Sequence, residues 1–357
     1  MGFWHNYDIE KQHINLSQYA MSIIEDDQLT FGVKNFSTFI NRVFGNFYPH
    51  ADASVILRTE CERKRLKQGV FGEIDTSEDI KNTFIESCVS DMEKEIRRQI
   101  ELYPKGIGRK IRINNENYRH LKSESKEDIF YGEHKVGCYI KAVVEEYARK
   151  PYIDREKIYF GDFIDIIDAA IKENHQITLK SGNMQYSVSA FSVMSDKQNN
   201  YNYLVGRSSV LNFNGSTEPI DCSFRLSRIK DIRISKTQES VFVLDEVRKE
   251  FTKTLNSRSA QFMGDNDSES VTIRLTFNGM KMYDKMQHLR PDYTEMYIEK
   301  KDFNGRAIYN YILKFDCTVQ QIDFYFFKFG KDAEILSPSR LAADFKHRYL
   351  EAYRIYE

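Results

Sequence analysis

The stretch from Ser187 to Ile234 decides the fold expected for this chain. It contains an apolar run, VSAFSVM at 188–194, followed by YNYLVG at 201–206 and by CSFRLSRIKDIRI at 222–234. Each run is rich in aromatic and β-branched residues, and polar residues separate one run from the next, as is typical of consecutive β-strands. The sequence therefore predicts a small β-domain in the middle of the chain.

This succession resembles the WYL domain, a small β-barrel of the Sm/SH3 kind found in bacterial regulators that sense nucleic acid or nucleotide ligands. The resemblance rests on the order of the strands and on the run FRLSRI at 224–229. The triplet that names the family is Asn202, Tyr203 and Leu204 here, so that Asn replaces its Trp. The resemblance implies a barrel over roughly 158–236.

In WYL domains, cationic and aromatic side chains on adjacent strand ends form a concave anion-binding groove. Guanidinium groups there bind phosphate oxygens, and an aromatic ring stacks on a base. An alternative is that the two strand arginines only pair with neighbouring aspartates on an ordinary exposed strand. The resemblance implies that the nucleic-acid-binding residues are Lys180, Ser189, Tyr203, Arg207, Arg225 and Arg228.

Composition indicates a folded protein with several domains. The chain has 357 residues, of which 41% are hydrophobic and 29% charged, and its net charge is −1. A nucleic-acid partner must therefore be bound by local basic patches.

The five cysteines are widely spaced without a Cys-x-x-Cys pair, which favours neither a zinc site nor a disulfide framework and indicates a cytoplasmic protein. No apolar run approaches the length of a membrane span, so no membrane association is expected.

The N-terminal part contains an internal repeat. The apolar positions of residues 36–47 recur at 136–147, and the same shift of 100 positions carries residues 29–32 onto 129–132. Both copies predict a helix, a turn at Gly32 or Gly132, and a second helix with an i, i+3, i+4, i+7 apolar face. The alternative is two ordinary amphipathic helices whose spacing matches by chance.

A short alternating run precedes each copy, at 12–17 and at 110–114. Strand, helix, turn and helix form the ribbon-helix-helix pattern, in which two units intertwine and pair their strands into a ribbon that enters a DNA groove. We expect the two runs to pair antiparallel and to form such a pseudo-dimer within one chain. The first run supplies little charge, which favours a structural or auxiliary ribbon. The candidate ribbon contacts are Asn15, Lys110, Arg112 and Asn114.

The rest of the chain completes an α+β, multidomain interpretation. Residues 51–103 predict a helical insertion between the two copies, and the order after residue 270 predicts β-α-β-β-α-β-α with a hairpin turn at Asn304 and Gly305. The end of the chain resembles the C-terminal extension of WYL proteins, which implies a homodimer. The expected domains are a ribbon-helix-helix-like domain at 1–157, a WYL domain at 158–236 and the extension at 237–357.

The sequence contains no catalytic motif with useful spacing: no His-Glu-x-x-His, Gly-x-Ser-x-Gly, P-loop or Arg-x-x-x-x-His. We therefore expect no enzyme activity, cofactor or metal.

The order of parts is similar to that of WYL accessory proteins encoded beside the RNA-guided RNase of type VI-D CRISPR systems. That resemblance implies a homodimer that binds single-stranded RNA and stimulates the RNase effector. The alternative is a ribbon-helix-helix transcriptional regulator that binds DNA and senses a nucleotide or nucleic-acid ligand.

Overall fold

The structure, a computed structural model, describes residues 10–72, 76–104, 106–123, 127–132, 134–196, 200–208, 220–264, 268–303 and 306–356. The chain is a mixture of helices and antiparallel sheets, as predicted, and it divides into two compact units, residues 1–162 and 163–357. The predicted boundary after residue 157 lies close to this division. The predicted boundary after residue 236 falls within the second unit.

The first unit is mostly helical. Its strands are β1 (Lys11–Leu16) and β2 (Ile107–Arg112). The helices are α1 (Gln18–Phe31), α2 (Phe36–Phe47), α3 (Val55–Arg65) continued by a π-helix (Leu66–Val70), α4 (Glu78–Glu101), α5 (Asn115–Ser123), α6 (Glu127–Tyr131), α7 (Val136–Arg149) and α8 (Tyr152–Tyr159), and α9 (Gly161–Lys172) begins at its end. The helical insertion predicted at 51–103 is confirmed by α3 and α4.

Strands β1 and β2 pair antiparallel, which confirms the predicted ribbon pairing. The second strand begins at Ile107, three residues before the predicted start, and ends at Arg112. The two glycines of the repeat both adopt the left-handed conformation that glycine tolerates best, with φ of 71° at Gly32 and 92° at Gly132. Both copies of the repeat therefore fold as strand, helix or helices, glycine turn and helix.

The second helix of each copy holds the strand of the other copy. The backbone N–H and hydroxyl of Ser17, at the end of β1, donate to the Glu145 carboxylate on α7 at 2.6 and 2.8 Å. The N–H of Asn114, just after β2, donates to Asn41 Oδ1 on α2 at 2.9 Å. Ser17 and Asn114 also cap α1 and α5 respectively, since each side-chain oxygen accepts an N–H three residues later. The two copies are thus intertwined through matching contacts.

A buried charge network lies in the core of the first unit. The Asp27 carboxylate accepts hydrogen bonds from Arg155 Nε at 2.7 Å, from Arg155 Nη2 at 3.0 Å and from the Tyr147 hydroxyl at 2.7 Å. Asp27 is 1% exposed and Arg155 8%. Because a buried charge is costly unless it is paired and hydrogen-bonded, this network links α1, α7 and α8.

The second unit contains two antiparallel sheets. The first sheet has the order β6-β5-β4-β3-β7 and the second has the order β11-β8-β10-β9. The strands are β3 (His175–Ser181), β4 (Met184–Ser195), β5 (Asn202–Ser208), β6 (Ile220–Arg225), β7 (Ile229–Glu239), β8 (Ser268–Leu275), β9 (Glu295–Phe303), β10 (Arg306–Thr318) and β11 (Ala333–Ser337). The helices after α9 are α10 (Asp245–Arg258), α11 (Phe277–Lys285), α12 (Val319–Phe326) and α13 (Ser339–Arg354).

The predicted closed barrel is not found in the five-stranded sheet. Its edge strands β6 and β7 are consecutive, and a 3₁₀ turn (Leu226–Arg228) joins them without pairing them to each other within the part of the chain that the structure describes. The sheet is therefore open. The strands predicted at 188–194, 201–206 and 222–234 are present, but the last run is divided by this turn into β6 and β7.

Residues after β7 cover one face of this sheet. Val205 of β5 packs in a buried cluster with Phe242, Phe251, Leu255 and Met263, which come from a 3₁₀ turn, α10 and the segment after it. These side chains, which follow the predicted boundary at 236/237, shield the centre of the sheet from water. The apolar core of the sheet therefore includes residues from both sides of that boundary.

The predicted order β-α-β-β-α-β-α after residue 270 is confirmed by β8, α11, β9, β10, α12, β11 and α13. Helices α11, α12 and α13 pack on the second sheet around fully buried Phe315, Tyr325 and Phe326. The hairpin turn predicted at residues 304 and 305 lies outside the described residues. Strand β8 begins at Ser268, before the predicted start of this part.

Candidate nucleic-acid interface

The β1–β2 ribbon has a buried face and an exposed face. Period-two alternation buries Gln12, Ile14 and Leu16 of β1, whereas Lys11 and His13 are exposed and Asn15 is half-buried. The register places Lys11 opposite Arg112, His13 opposite Lys110, and Asn15 opposite Gly108. We call the five side chains on the exposed side the outer ribbon face: Lys11, His13, Asn15, Lys110 and Arg112.

The outer ribbon face carries three permanent cations, because Lys11, Lys110 and Arg112 are all exposed. Lys11 was not among the predicted contacts, since the first strand was expected to begin at residue 12. Extending the alternation by one position would have identified it. The ribbon is consequently more basic on its exposed side than the sequence indicated.

His13 and Asn15 contact two glycines, Gly108 within β2 and Gly106 just before it. A Cβ at Gly108 would lie 2.7 Å from His13 Cε1, so the imidazole lies directly over this glycine. Asn15 Oδ1 accepts the N–H of Gly106 at 3.2 Å, which leaves the Asn15 amide NH₂ to donate to another group. A larger residue at 108 would displace the ring from the outer ribbon face.

Asn114 lies outside the ribbon. Its Oδ1 accepts the Asn117 N–H at 2.8 Å as the cap of α5, and its own N–H donates to Asn41. The side chain of Asn114 therefore has a structural role at the start of a helix. Of the four predicted ribbon contacts, the structure places Asn15, Lys110 and Arg112 together on the outer ribbon face.

On the five-stranded sheet, the register brings Tyr203 directly opposite Arg225. The Arg225 guanidinium carbon lies 3.5 Å from the ring centroid of Tyr201, a residue that is 36% exposed. Strand alternation places Lys180, Ser189, Tyr203 and Arg207 on the same sheet face as Arg225. The tyrosines and Arg225 form a mixed aromatic and cationic edge that suits a base and its phosphate.

Two of the predicted residues on this face have internal partners. Ser189 is 1% exposed, and its hydroxyl accepts the Val241 N–H at 3.1 Å. Arg207 donates to Asp221 at 2.8 Å and to Glu250 at 3.4 Å. Burial acts to lower the pKa of Arg207, but the hydrogen bond to Asp221 and the two carboxylate charges raise it overall. Residues that cover the sheet thus form hydrogen bonds or ion pairs with both the Ser189 hydroxyl and the Arg207 guanidinium.

The other two predicted cations are exposed. Lys180 lies on β3 beside Asp231 of β7, and Arg228 lies in the 3₁₀ turn between β6 and β7. Arg228 and Arg225 are three positions apart at one end of the sheet. Together with Tyr203 they form what we call the sheet-end cluster: Tyr203, Arg225 and Arg228.

Other kinds of site find no support in the part of the chain that the structure describes. No three His, Cys, Asp or Glu side chains there converge as metal ligands would. A membrane-spanning helix would need about 20 consecutive apolar residues, and no helix within the described ranges meets the requirements of length and hydropathy.

Comparison with known proteins gives a likeness at the level of the fold. No family model matches the chain, and no curated protein matches it. The Proteasome accessory factor B/C of Arthrobacter aurescens aligns with 67% of this chain and 35% of its own at 14% identity, but its TM-score of 0.26 is too low to support an argument. A solved structure described as a CRISPR Cas-related protein matches with a TM-score of 0.70 and 24% identity, over 97% of this chain and 94% of that chain. This chain therefore shares its fold with that protein over nearly the full length of both.

Proposed function

We propose that this chain is a non-catalytic accessory protein of a CRISPR system, one that binds single-stranded RNA and increases the activity of the RNA-guided RNase of a type VI-D system. The observation that carries this proposal is the likeness in fold to the CRISPR Cas-related protein, which extends over nearly the whole of both chains. The resemblance of the central strands to a WYL domain, and of the N-terminal repeat to a ribbon-helix-helix pair, supports the same assignment.

Two surfaces have suitable chemistry for RNA. The outer ribbon face presents three cations that can contact successive phosphates. The sheet-end cluster combines two guanidinium groups with the Tyr203 ring, and Tyr201 stacks on its Arg225. Such a combination binds phosphate oxygens and stacks unpaired bases without reading their sequence. Because the chain as a whole has a net charge of −1, these local patches must supply the attraction to RNA.

The decisive experiment compares the affinity of the full chain for an unstructured 20-nucleotide RNA with its affinity for a 20-base-pair DNA duplex at several equal salt concentrations. We expect tighter binding to the RNA throughout. Target cleavage by the purified RNA-guided RNase should also be faster when the chain is added, with bovine serum albumin as the protein control. Equal or tighter binding to the duplex, together with unchanged cleavage, would contradict the proposal.

A second candidate function is a DNA-binding transcriptional regulator with a ligand-sensing WYL domain. One observation favours it: the ribbon is antiparallel, and its exposed side carries Lys11 opposite Arg112 and His13 opposite Lys110. Such donors can contact base edges and phosphates in a major groove. Preference for a specific duplex over random duplex of the same length, found by selection from a random DNA library, would support this function.

We propose further that the chain forms a homodimer through its C-terminal part. Strand β9 is an edge of the second sheet, and Met296, Tyr297 and Ile298 on it are 43%, 57% and 57% exposed. Exposed apolar edge strands commonly pair with another chain. The mass measured by light scattering should be that of a dimer, and the double variant Tyr297→Glu, Ile298→Lys should be a monomer. A dimer in the double variant would locate the interface elsewhere.

A further inference from the structure

A polar cavity of about 730 Å³ opens where β2 ends, within the first unit. Its walls come from the side of α2, the first turn of α5, and Asp162 at the start of α9. Cavities of this volume hold small organic molecules or single nucleotides. The lining is dominated by neutral amides: Asn35, Asn41, Asn46, Asn114, Asn115 and Asn117.

The amide of Asn41 fixes the orientation of the amide of Asn117. Asn41 Nδ2 donates to the carbonyls of Ser37 and Arg112, so its Oδ1 is the side that accepts from Asn114 N–H and Asn117 Nδ2. Asn117 Nδ2 also donates to the Asn41 carbonyl at 2.8 Å. The NH₂ of Asn117 is therefore fully used, and its Oδ1 must point the other way.

Asn117 Oδ1 is an acceptor that no described residue supplies with a hydrogen bond, although Asn117 is only 3% exposed. It points toward Gly45 on α2, where an added Cβ would lie 3.0 Å from it. Both residues line the cavity. Because this oxygen faces the cavity and accepts no hydrogen bond from the residues that the structure describes, the space over Gly45 is suited to a ligand that donates an N–H to it.

Arg42 provides a rigid planar group on the same wall. It lies three residues before Gly45 on α2 and lines the cavity. Its guanidinium donates to both carboxylate oxygens of Asp162 at 2.7 and 3.0 Å and lies 4.7 and 5.2 Å from the ring centroids of Tyr159 and Phe160. Guanidinium planes held in this way stack on unpaired bases.

Arg112 supplies a positive charge at the rim of the cavity. It is exposed, it belongs to the outer ribbon face, and its guanidinium forms no ion pair with any residue that the structure describes. A phosphate attached to a ligand in the cavity would therefore meet a cation, while the neutral amides and Arg42 meet the ring system. Arg112 thus belongs both to the outer ribbon face and to the lining of the cavity.

We propose that the cavity receives one unstacked nucleobase of a bound single-stranded RNA, an inference that rests on the proposed function. The exocyclic amino group of adenine, cytosine or guanine donates to Asn117 Oδ1, the ring stacks on Arg42, and the adjoining phosphate contacts Arg112. Uracil offers only its N3–H, which two carbonyl oxygens flank. Because Asn117 Nδ2 is already used by Asn41, no donor of that amide is left for those carbonyls, so the cavity favours amino bases over uracil.

The test uses the full chain and compares a 12-nucleotide oligoadenylate with a 12-nucleotide oligouridylate in fluorescence anisotropy. The wild type should bind the oligoadenylate about fivefold to tenfold more tightly, the ratio expected for one hydrogen bond with a neutral partner. Gly45→Ala fills the space beside Asn117 Oδ1, so it should abolish this ratio by weakening oligoadenylate binding. Gly45→Ser, whose hydroxyl can itself donate to that oxygen, should act in the same way.

Gly69→Ala is the matched control, because a Cβ at Gly69 meets no atom within 4 Å. It should keep the wild-type ratio. Equal binding of the two RNAs by the wild type, or an unchanged ratio in both Gly45 variants, would overturn the cavity assignment while RNA binding itself stands.

Adenosine 5′-monophosphate separates this proposal from the proposed function. Calorimetry should show that the wild type binds this nucleotide more tightly than uridine 5′-monophosphate or inorganic phosphate, and that Gly45→Ala removes the difference. If the chain bound no oligonucleotide but retained this Gly45-dependent preference, the proposed RNA-binding function would fail and the cavity would be a site for a free nucleotide rather than for a base of RNA. If neither nucleotide nor RNA bound, both would be overturned.

Discussion

Lys11 and Arg112 lie directly opposite each other across the antiparallel ribbon, although most of the first unit separates them in the sequence. Both side chains are exposed on the same side of the ribbon. The strand pairing holds the two cations side by side, where both can contact a phosphate backbone. Each should therefore contribute one salt-dependent contact with RNA.

The double variant Lys11→Ala, Arg112→Ala should weaken RNA binding and lower the slope of log affinity against log salt by about 1.4, or about 0.7 for each lost contact with a single strand. Arg109→Ala is the matched control, because Arg109 lies on β2 but projects from the opposite side, 4.0 Å from Glu25. Anisotropy titrations at four salt concentrations measure the slope. A ribbon without a role in RNA binding would give the same slope for all three proteins.

The sheet-end cluster should respond to reversal of charge. Arg225→Glu together with Arg228→Glu converts two phosphate contacts into repulsions, so single-stranded RNA binding should weaken by on the order of 3 kcal/mol. Arg233→Glu makes the same kind of change on the exposed strand β7, where Arg233 pairs with Asp231 at 3.0 Å. If the Arg233 variant weakened RNA binding as much as the double variant, the effect would be one of overall charge.

The buried Asp27 carboxylate should be essential for the stability of the first unit. Asp27→Ala leaves the guanidinium of Arg155 buried without its partner and should lower the unfolding free energy by about 3–5 kcal/mol. Tyr147→Phe removes one of the hydrogen bonds to the same carboxylate and should cost about 1 kcal/mol. Urea denaturation measures both changes. Asp91→Ala, which breaks an exposed pair with Lys94, should change stability by less than about 1 kcal/mol.

His120 should make the first unit sensitive to acid. Burial lowers the pKa of His120 to about 4, and its ring stacks on Tyr48 with centroids 3.7 Å apart. In the unfolded chain a histidine has a pKa of about 6.5. Below that pH the unfolded state takes up a proton that the folded state does not, so stability is present above pH 6.5 and is lost as the pH falls toward 4.

The measurement that checks this is urea denaturation at pH 7 and at pH 4.5. His120→Phe keeps a ring on Tyr48 but cannot be protonated, so it should lose about 2 kcal/mol less stability than the wild type between these two pH values. An identical loss in both proteins would assign the acid sensitivity to other groups.

The elements that were predicted correctly depend on local information. The glycine turns at 32 and 132, the helices on either side of them and the strands of the C-terminal part follow from apolar periodicity and from glycines that tolerate positive φ. The antiparallel pairing of the ribbon was also predictable, because a repeated unit of strand and helices buries its strands by pairing one copy with the other.

The roles of the predicted site residues were harder to predict from the sequence, because most of them depend on contacts with residues that are distant in the chain. The resemblance to WYL domains implied that Ser189 and Arg207 bind nucleic acid, yet the Ser189 hydroxyl accepts the Val241 N–H and Arg207 pairs with Glu250. Asn114 continues the alternation of β2 but caps α5. At Ser189 and Arg207 the partner comes from a distant element, whereas at Asn114 a local capping bond to Asn117 replaces the expected position on the strand.

The sequence by itself determined which residues form strands and helices and that the N-terminal part is a repeat, because side-chain periodicity and glycine conformation act over a few neighbouring residues. Only the tertiary structure decided that the five-stranded sheet stays open, that the residues after β7 cover its face, and that Gly45, Arg42 and Asn117 surround one cavity. These features arise from the burial of apolar surface and the pairing of buried polar groups between elements far apart in the chain, which no local pattern encodes.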